Sequence, residues 1–347
     1  MNHPYFEYTD VDRRFYEERL DPHLPGQILD AHRHVQLPEH LDETQERFSR
    51  SSFPEGIAGP ESVEHARLGY ETMFPGRSVE MLAFGSPSSN VDASANNAWV
   101  SEQFAGSDSA GLLLNRPDWE PERLLRELRL PAIIGVKPYE RLIPDFEGGD
   151  VSIFAFMPHH QLEVLDELGA WLTLHLPRKE RLADRANIEE ILELRARYPN
   201  VLLVIAHLGR SYAGRYAREG FPPLAEDPGI LFDNSAVLNP AVHALALDRF
   251  GPERIMWASD QPVFYMRGRR RWEGDRYINL TSGNYAWNTD REPPEVEATY
   301  TLSLYEQMAA CIDTTLALGF GEETIEALFH GNARAKVNEV LARKERW

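Results

Sequence analysis

The sequence predicts an α/β protein built as one (β/α)8 barrel of the TIM type, and three observations carry that prediction. Eight short apolar runs recur along the chain, each followed by a polar loop and a helix-patterned stretch. The runs are apolar throughout rather than alternating, as parallel strands buried on both faces are. A length of 347 residues is also filled by a single barrel with insertions, although the usual domain size alone would suggest two.

Taken in order, residues 1–25 form an N-terminal extension rich in Tyr, Phe and charge. The predicted strands are 27–34, 79–84, 110–114, 131–137, 170–176, 201–207, 229–234 and 254–259. Between them, Val164, Leu165 and Leu168 form a short apolar stripe. Asn187-Ile188-Glu189-Glu190 reads as a capping box opening a helix that turns Ile188, Ile191 and Leu192 inward. The connections 38–78 and 85–109 are long for a barrel, which predicts function or further helices within them. Residues 263–300 form an insertion after the eighth strand, containing RGRRRWEGDRY and SGNYAWN. Its run from Arg267 to Arg271, with Trp272, Tyr285 and Trp287 nearby, reads either as a lid over the barrel mouth or as a solvated charge run. Residues 301–345 read as two closing helices, with Leu304, Met308, Cys311, Ile312 and Leu316 on one face. No repeat, low-complexity tract or linker interrupts the chain, so 1–347 is expected to be one domain.

Composition excludes several classes. A net charge of −19 argues against nucleic acid or an anionic membrane as partner, since both select a basic face. The single cysteine, Cys311, excludes an intramolecular disulfide framework and a cysteine-only zinc cluster. The N-terminal stretch lacks the apolar segment of a secretory signal, and runs such as 201–206 fall far short of the ~18 residues that span a bilayer. A cytoplasmic location and a small-molecule partner are expected. There is no G-x-S-x-G, P-loop or G-x-G-x-x-G, and no Glu/Asp pair at strand ends that would suit a retaining glycosidase.

The chemistry-bearing residues stand at the predicted strand ends. His32 and His34 close the first strand, His175 the fifth, His207 the sixth, and Asp260 follows the eighth. In a (β/α)8 barrel these C-terminal ends converge on one mouth, where active sites form. Residues two apart on a strand share a face, so both first-strand imidazoles can address one ion. Neutral imidazoles and a carboxylate suit zinc, and also manganese or iron. Such a site activates water; Asp260 would move the proton, and His207 would hydrogen-bond the developing oxyanion. Arg178 and Arg210, each three residues beyond a site histidine, read either as hands for a substrate carboxylate or as solvated loop charges. Lys137, ending the fourth strand, reads as a substrate-binding ammonium or as a lysine anchoring barrel carboxylates. His159-His160 opens a helix and is expected to play surface or capping roles.

The stretches AHRHV, GVKPY, LTLHLPR, VIAHLG, WASDQP and GNARA resemble the amidohydrolase superfamily, in its "amidohydrolase 2" branch, over residues 27–335. The resemblance implies a TIM-type barrel with one or two divalent metals. It further implies His32, His34 and His175 as ligands, Asp260 as ligand and proton carrier, and His207 as ligand or substrate-polarising group. It adds a third reading of Lys137, a carbamylated bridge between two ions. Arg33 and the Pro-Tyr after GVK depart from some relatives. Relatives are often dimers or larger, so a homo-oligomer is admitted. The activity expected is metal-dependent hydrolysis of a C–O or C–N bond in a lactone, ester or amide. Non-oxidative decarboxylation is the alternative within the same superfamily, and a metal-free binding barrel is the reading outside it.

Overall fold

The computed structural model describes residues 3–42 and 57–347; the stretch 43–56 of the predicted 38–78 connection lies outside them. Eight parallel strands pair in sequence order, β1 (Gln27–His34), β2 (Ser78–Phe84), β3 (Ala110–Leu113), β4 (Ile133–Val136), β5 (Trp171–Leu174), β6 (Leu202–Ile205), β7 (Ile230–Asp233) and β8 (Ile255–Met256). Each falls on a predicted run. Backbone hydrogen bonds close the seam between last and first strands: Ala31 N to Trp257 O at 3.3 Å, His34 N to Gln261 O at 3.0 Å, and Asp260 N to His32 O at 3.0 Å. The fold is a (β/α)8 barrel.

Two apolar layers hold it. Leu29, Ala31, Leu82, Leu112, Ile134, Trp171, Val204, Leu231 and Met256 pack together as the barrel interior, joined by Ala333, Val337 and Val340 of the helix Asn332–Lys344. Alternate strand residues such as Ile28, Met81, Ile133, Leu172 and Leu203 pack in a larger layer against the helices. Burial on both faces removes any polar face from these strands, which is why they read as unbroken apolar runs.

The long connections do contain helices, Val63–Met73 and Ala93–Phe104. The capping expectation shifts register. Asp184, not Asn187, caps the helix Arg185–Arg197 by accepting from Ala186 N and Asn187 N. Asn187 is buried inside the first turn, Ile191 and Leu194 carry the inner face, and Leu192 is exposed. In the closing helix Ser303–Ala317, Leu304, Met308, Cys311 and Ile312 are buried as expected, whereas Leu316 is exposed. The N-terminal extension is stapled down by buried Asp12, which accepts from Arg267 at 2.6 Å and from the Thr301 hydroxyl at 2.9 Å.

The insertion after β8 is an antiparallel hairpin, β9 (Gly268–Glu273) and β10 (Arg276–Thr281). It docks on the barrel mouth through Trp272, whose Nε1 donates to the Tyr212 carbonyl at 2.8 Å. Its arginines are neither uniformly solvated nor a detached lid: Arg267 is ion-paired to Asp12, Arg270 is buried, and Arg269 and Arg271 are exposed.

Candidate active site

A bulge in β1 aims the first two site residues. Asp30 pairs with Met81 and Arg33 with Ala83, so β1 spends one extra residue against β2. An extra residue resets the in–out alternation. Ala31 belongs to the barrel interior, and beyond the bulge His32 and His34 line the cavity at the mouth. Asp30 and Arg33 turn outward instead. Tyr70 and Ser259 donate to Asp30, and Arg33 pairs with Glu61 and donates to the Tyr265 hydroxyl at 2.7 Å.

Hydrogen bonds fix which imidazole nitrogen carries the proton. His32 Nδ1 lies 2.9 Å from Asp233 Oδ2, and His34 Nδ1 lies 3.0 Å from the Gly85 carbonyl. Both partners only accept, so each Nδ1 donates and each Nε2 keeps a lone pair. Asp260 Oδ1 sits 3.5 Å from His32 Nε2 and 3.4 Å from His34 Nε2. His32 Nε2 is buried with no hydrogen-bond partner among the described residues. Two nitrogen lone pairs facing one carboxylate oxygen call for a cation between them, and the three donor groups lie within 4.8 Å of one another. The residues therefore fit a divalent metal.

His207 is held in the same way. Ser235 Oγ donates its proton to Asp233 Oδ1, so it accepts from His207 Nδ1 at 2.8 Å. In its neutral form His207 therefore has a lone pair on Nε2, and donation to an oxyanion requires that it first take up a proton. Asp233 also accepts from the His207 and Ser235 amides. With both oxygens occupied, it orients His32 and His207 rather than facing the cavity. Its place at the end of a predicted strand, in GILFDN, is the one signal in the sequence that marks it. His175 lines the cavity, with its ring centroid 5.5 Å from that of His207 and its Nδ1 buried without a partner among the described residues. It lies outside the groups of donor atoms within 4.8 Å of one another.

His207 and Asp260 both adopt left-handed backbone, φ 57° and 56°. This conformation costs of order 1–3 kcal/mol in a non-glycine residue and persists where the surroundings enforce it. Here the Asp233 carboxylate and the His32 carbonyl hold the two amides. Burial favours the neutral form of three of the imidazoles: reinforced by the charge of Lys137, it pulls His32 down to about 3, and it lowers His175 and His207 as well. Burial would raise Asp260, but the imidazoles beside it, His207 foremost, hold it down to about 2.

The other expected site residues separate. Lys137 is buried just past the end of β4, its Nζ without a hydrogen-bond partner among the described residues and 5.1 Å from the Tyr139 ring centroid. Burial brings its pKa down to about 8. Among the described residues no carboxylate lies within ion-pair distance of it, so the anchoring reading lacks its partner. Arg178 is tied to Glu190 at 2.7 Å and to Asn187 at 3.0 Å, and it does not line the cavity. Arg210 does line it, with Nη1 donating to the Leu176 carbonyl at 2.8 Å. Arg141, Arg270, Tyr139, Tyr212 and Tyr277 complete a cavity of about 450 Å³. No spacing along the chain marks these wall residues, because loops and the hairpin bring them there.

Eight parallel strands with such residues at their C-terminal ends define a barrel with its functional face at the mouth. The chain belongs to the amidohydrolase family, whose model matches residues 30–336. No curated protein sequence matches it significantly. Among solved structures, an amidohydrolase from Burkholderia multivorans with bound zinc is similar at 14% identity, with 90% of this chain and 99% of that chain covered and a TM-score of 0.59. A putative 2-pyrone-4,6-dicarboxylic acid hydrolase from Pseudomonas putida matches at 19% identity, 91% and 98% coverage and a TM-score of 0.54. The 5-carboxyvanillate decarboxylase of Sphingomonas paucimobilis matches at 13% identity, 90% and 99% coverage and a TM-score of 0.54. At these identities the likeness is one of fold.

Proposed function

We propose that this protein is a metal-dependent hydrolase that attacks a C–O or C–N bond, in a lactone, ester or amide, of a small carboxylate-bearing substrate. The observation that carries the reading is the pair of lone-pair nitrogens, His32 Nε2 and His34 Nε2, facing Asp260 Oδ1 at 3.5 and 3.4 Å. His32, His34 and Asp260 would hold a divalent ion, zinc foremost, with His175 completing the set. When bound, the ion supplies Lewis-acid polarisation and makes water acidic enough to attack at neutral pH. Asp260 accepts the proton of the attacking water and returns it to the leaving oxygen or nitrogen. His207 orients that water through its Nε2 lone pair. Arg210 faces the substrate's acid group, and Lys137 adds positive potential from behind Tyr139.

A second reading is non-oxidative decarboxylation of an aromatic acid. It is favoured by the tyrosine-lined walls and the likeness in fold to 5-carboxyvanillate decarboxylase. Product analysis separates the two: hydrolysis incorporates labelled oxygen from water into the product, whereas decarboxylation releases carbon dioxide. Metal content tests the site itself. Elemental analysis is expected to find about one ion per chain, or two if Lys137 is carbamylated. His32→Ala and His175→Ala are each expected to lose metal and turnover together; full metal content in both would remove the ligand assignment.

A further inference from the structure

Arg270 is the most enclosed of the arginines in the cavity wall, at 9% exposure. Burial alternates along β9, with Gly268 and Arg270 covered and Arg269 and Arg271 exposed. An arginine-rich strand thus turns one guanidinium inward. Asn279 is its partner across the hairpin, and both line the cavity.

Arg269 and Arg271 are paired to Glu292 and Glu273, whereas Arg270 has no carboxylate partner among the described residues. Nε donates to Asn279 Oδ1 at 2.8 Å and Nη1 to the Ala236 carbonyl. The guanidinium carbon lies 4.8 Å from the Tyr277 ring centroid, 5.2 Å from Tyr212 and 5.7 Å from Phe264. Ring faces and neutral acceptors solvate a cation partly, yet leave it without a counterion. Arg254 supplies the contrast: equally buried and unpaired, it has Nε, Nη1 and Nη2 all engaged by backbone carbonyls. For Arg270, no protein acceptor among the described residues engages Nη2.

We infer that Arg270, held by Asn279, is the specificity-determining residue of the cavity and binds a carboxylate of a small planar dicarboxylic acid. The ring faces of Tyr212, Tyr277 and Phe264 supply walls for a flat molecule. Arg141 and Arg210, which also line the cavity and have no carboxylate partner among the described residues, receive the second acid group. The assignment rests on the proposed function only for where the reacting bond lies, near Asp260.

The test is calorimetry on the full-length protein with benzene-1,3-dicarboxylate, its neutral diamide and benzoate as probes. The diacid is expected to bind at least about tenfold more tightly than diamide or benzoate. Arg270→Gln is expected to lose at least about tenfold of that affinity, and Arg270→Lys to lose less, because lysine keeps the charge although not the planar fork. Equal binding of diacid and diamide would overturn the assignment, as would no diacid binding or an Arg270→Gln protein with wild-type melting and unchanged affinity. If Arg270→Gln does not fold, the wild-type ratio still decides, together with Asn279→Ala, which should weaken diacid binding severalfold and would count against the assignment if it did not. Because binding is read without turnover, product analysis that rejects hydrolysis leaves this result standing, and the reverse also holds.

Discussion

His32 Nδ1 lies 2.9 Å from Asp233 Oδ2, so an aspartate on the seventh strand sets the tautomer and the tilt of a histidine on the first. The same carboxylate, through Ser235, sets the tautomer of His207. One residue that does not line the cavity thus fixes two that do. Asp233→Asn is expected to lower metal affinity by about 10–100-fold, read by chelator competition with melting as a control for folding. Unchanged affinity in a folded protein would reduce Asp233 to a structural role.

Asp260 has the opposite character, a carboxylate offered to the cavity. Asp260→Asn is expected to keep part of the metal, because an amide oxygen coordinates weakly, and to lose about 10²–10⁴-fold in kcat, because an amide does not accept the proton. Elemental analysis beside a rate assay checks this, and a near-normal rate would take Asp260 out of the reaction.

Arg178 makes the reverse case. Its guanidinium is held by Glu190 and Asn187, which ties the loop after β5 to the helix that follows. Arg178→Gln is expected to leave KM unmoved and to lower the unfolding free energy by about 1.5–3 kcal/mol, the range for hydrogen bonds to charged groups. A raised KM in a variant of normal stability would restore Arg178 to substrate binding.

A pH dependence of stability follows from His243, buried in the helix Pro240–Phe250 with Nε2 2.8 Å from the Val237 carbonyl. Burial pulls its pKa down from 6.5 to about 4. The unfolded chain takes up a proton near pH 6.5 that the folded chain refuses until about pH 4. Stability is therefore complete above pH 6.5 and falls by about 3 kcal/mol as the pH drops to 4. Denaturant titrations from pH 7 to 4 should show this slope reduced in His243→Gln, and an unchanged slope would refute the assignment.

What the sequence by itself determined is the barrel and the positions at its mouth. Unbroken apolar runs at regular intervals can be satisfied only by strands buried on both faces, and a barrel brings their C-terminal ends to one side. That reasoning carried His32, His34, His175, His207 and Asp260 to the same cavity. The facing of side chains was left to the tertiary structure. Strict alternation in β1 would put Arg33 on the face of Ala31; the bulge after Asp30 reverses this and turns the two histidines inward. A bulge depends on the neighbouring strand and has no local signature here. Partner choice was equally out of reach. Arg178 and Arg210 stand at matching offsets from their histidines, yet Glu190 takes the first while the second lines the cavity. Arg270, in a run that reads as surface charge, is buried because a hairpin alternates its faces and docks one of them on the barrel mouth. Periodicity along a chain records burial, whereas contacts between distant segments record chemistry, and only the folded molecule brings those segments together.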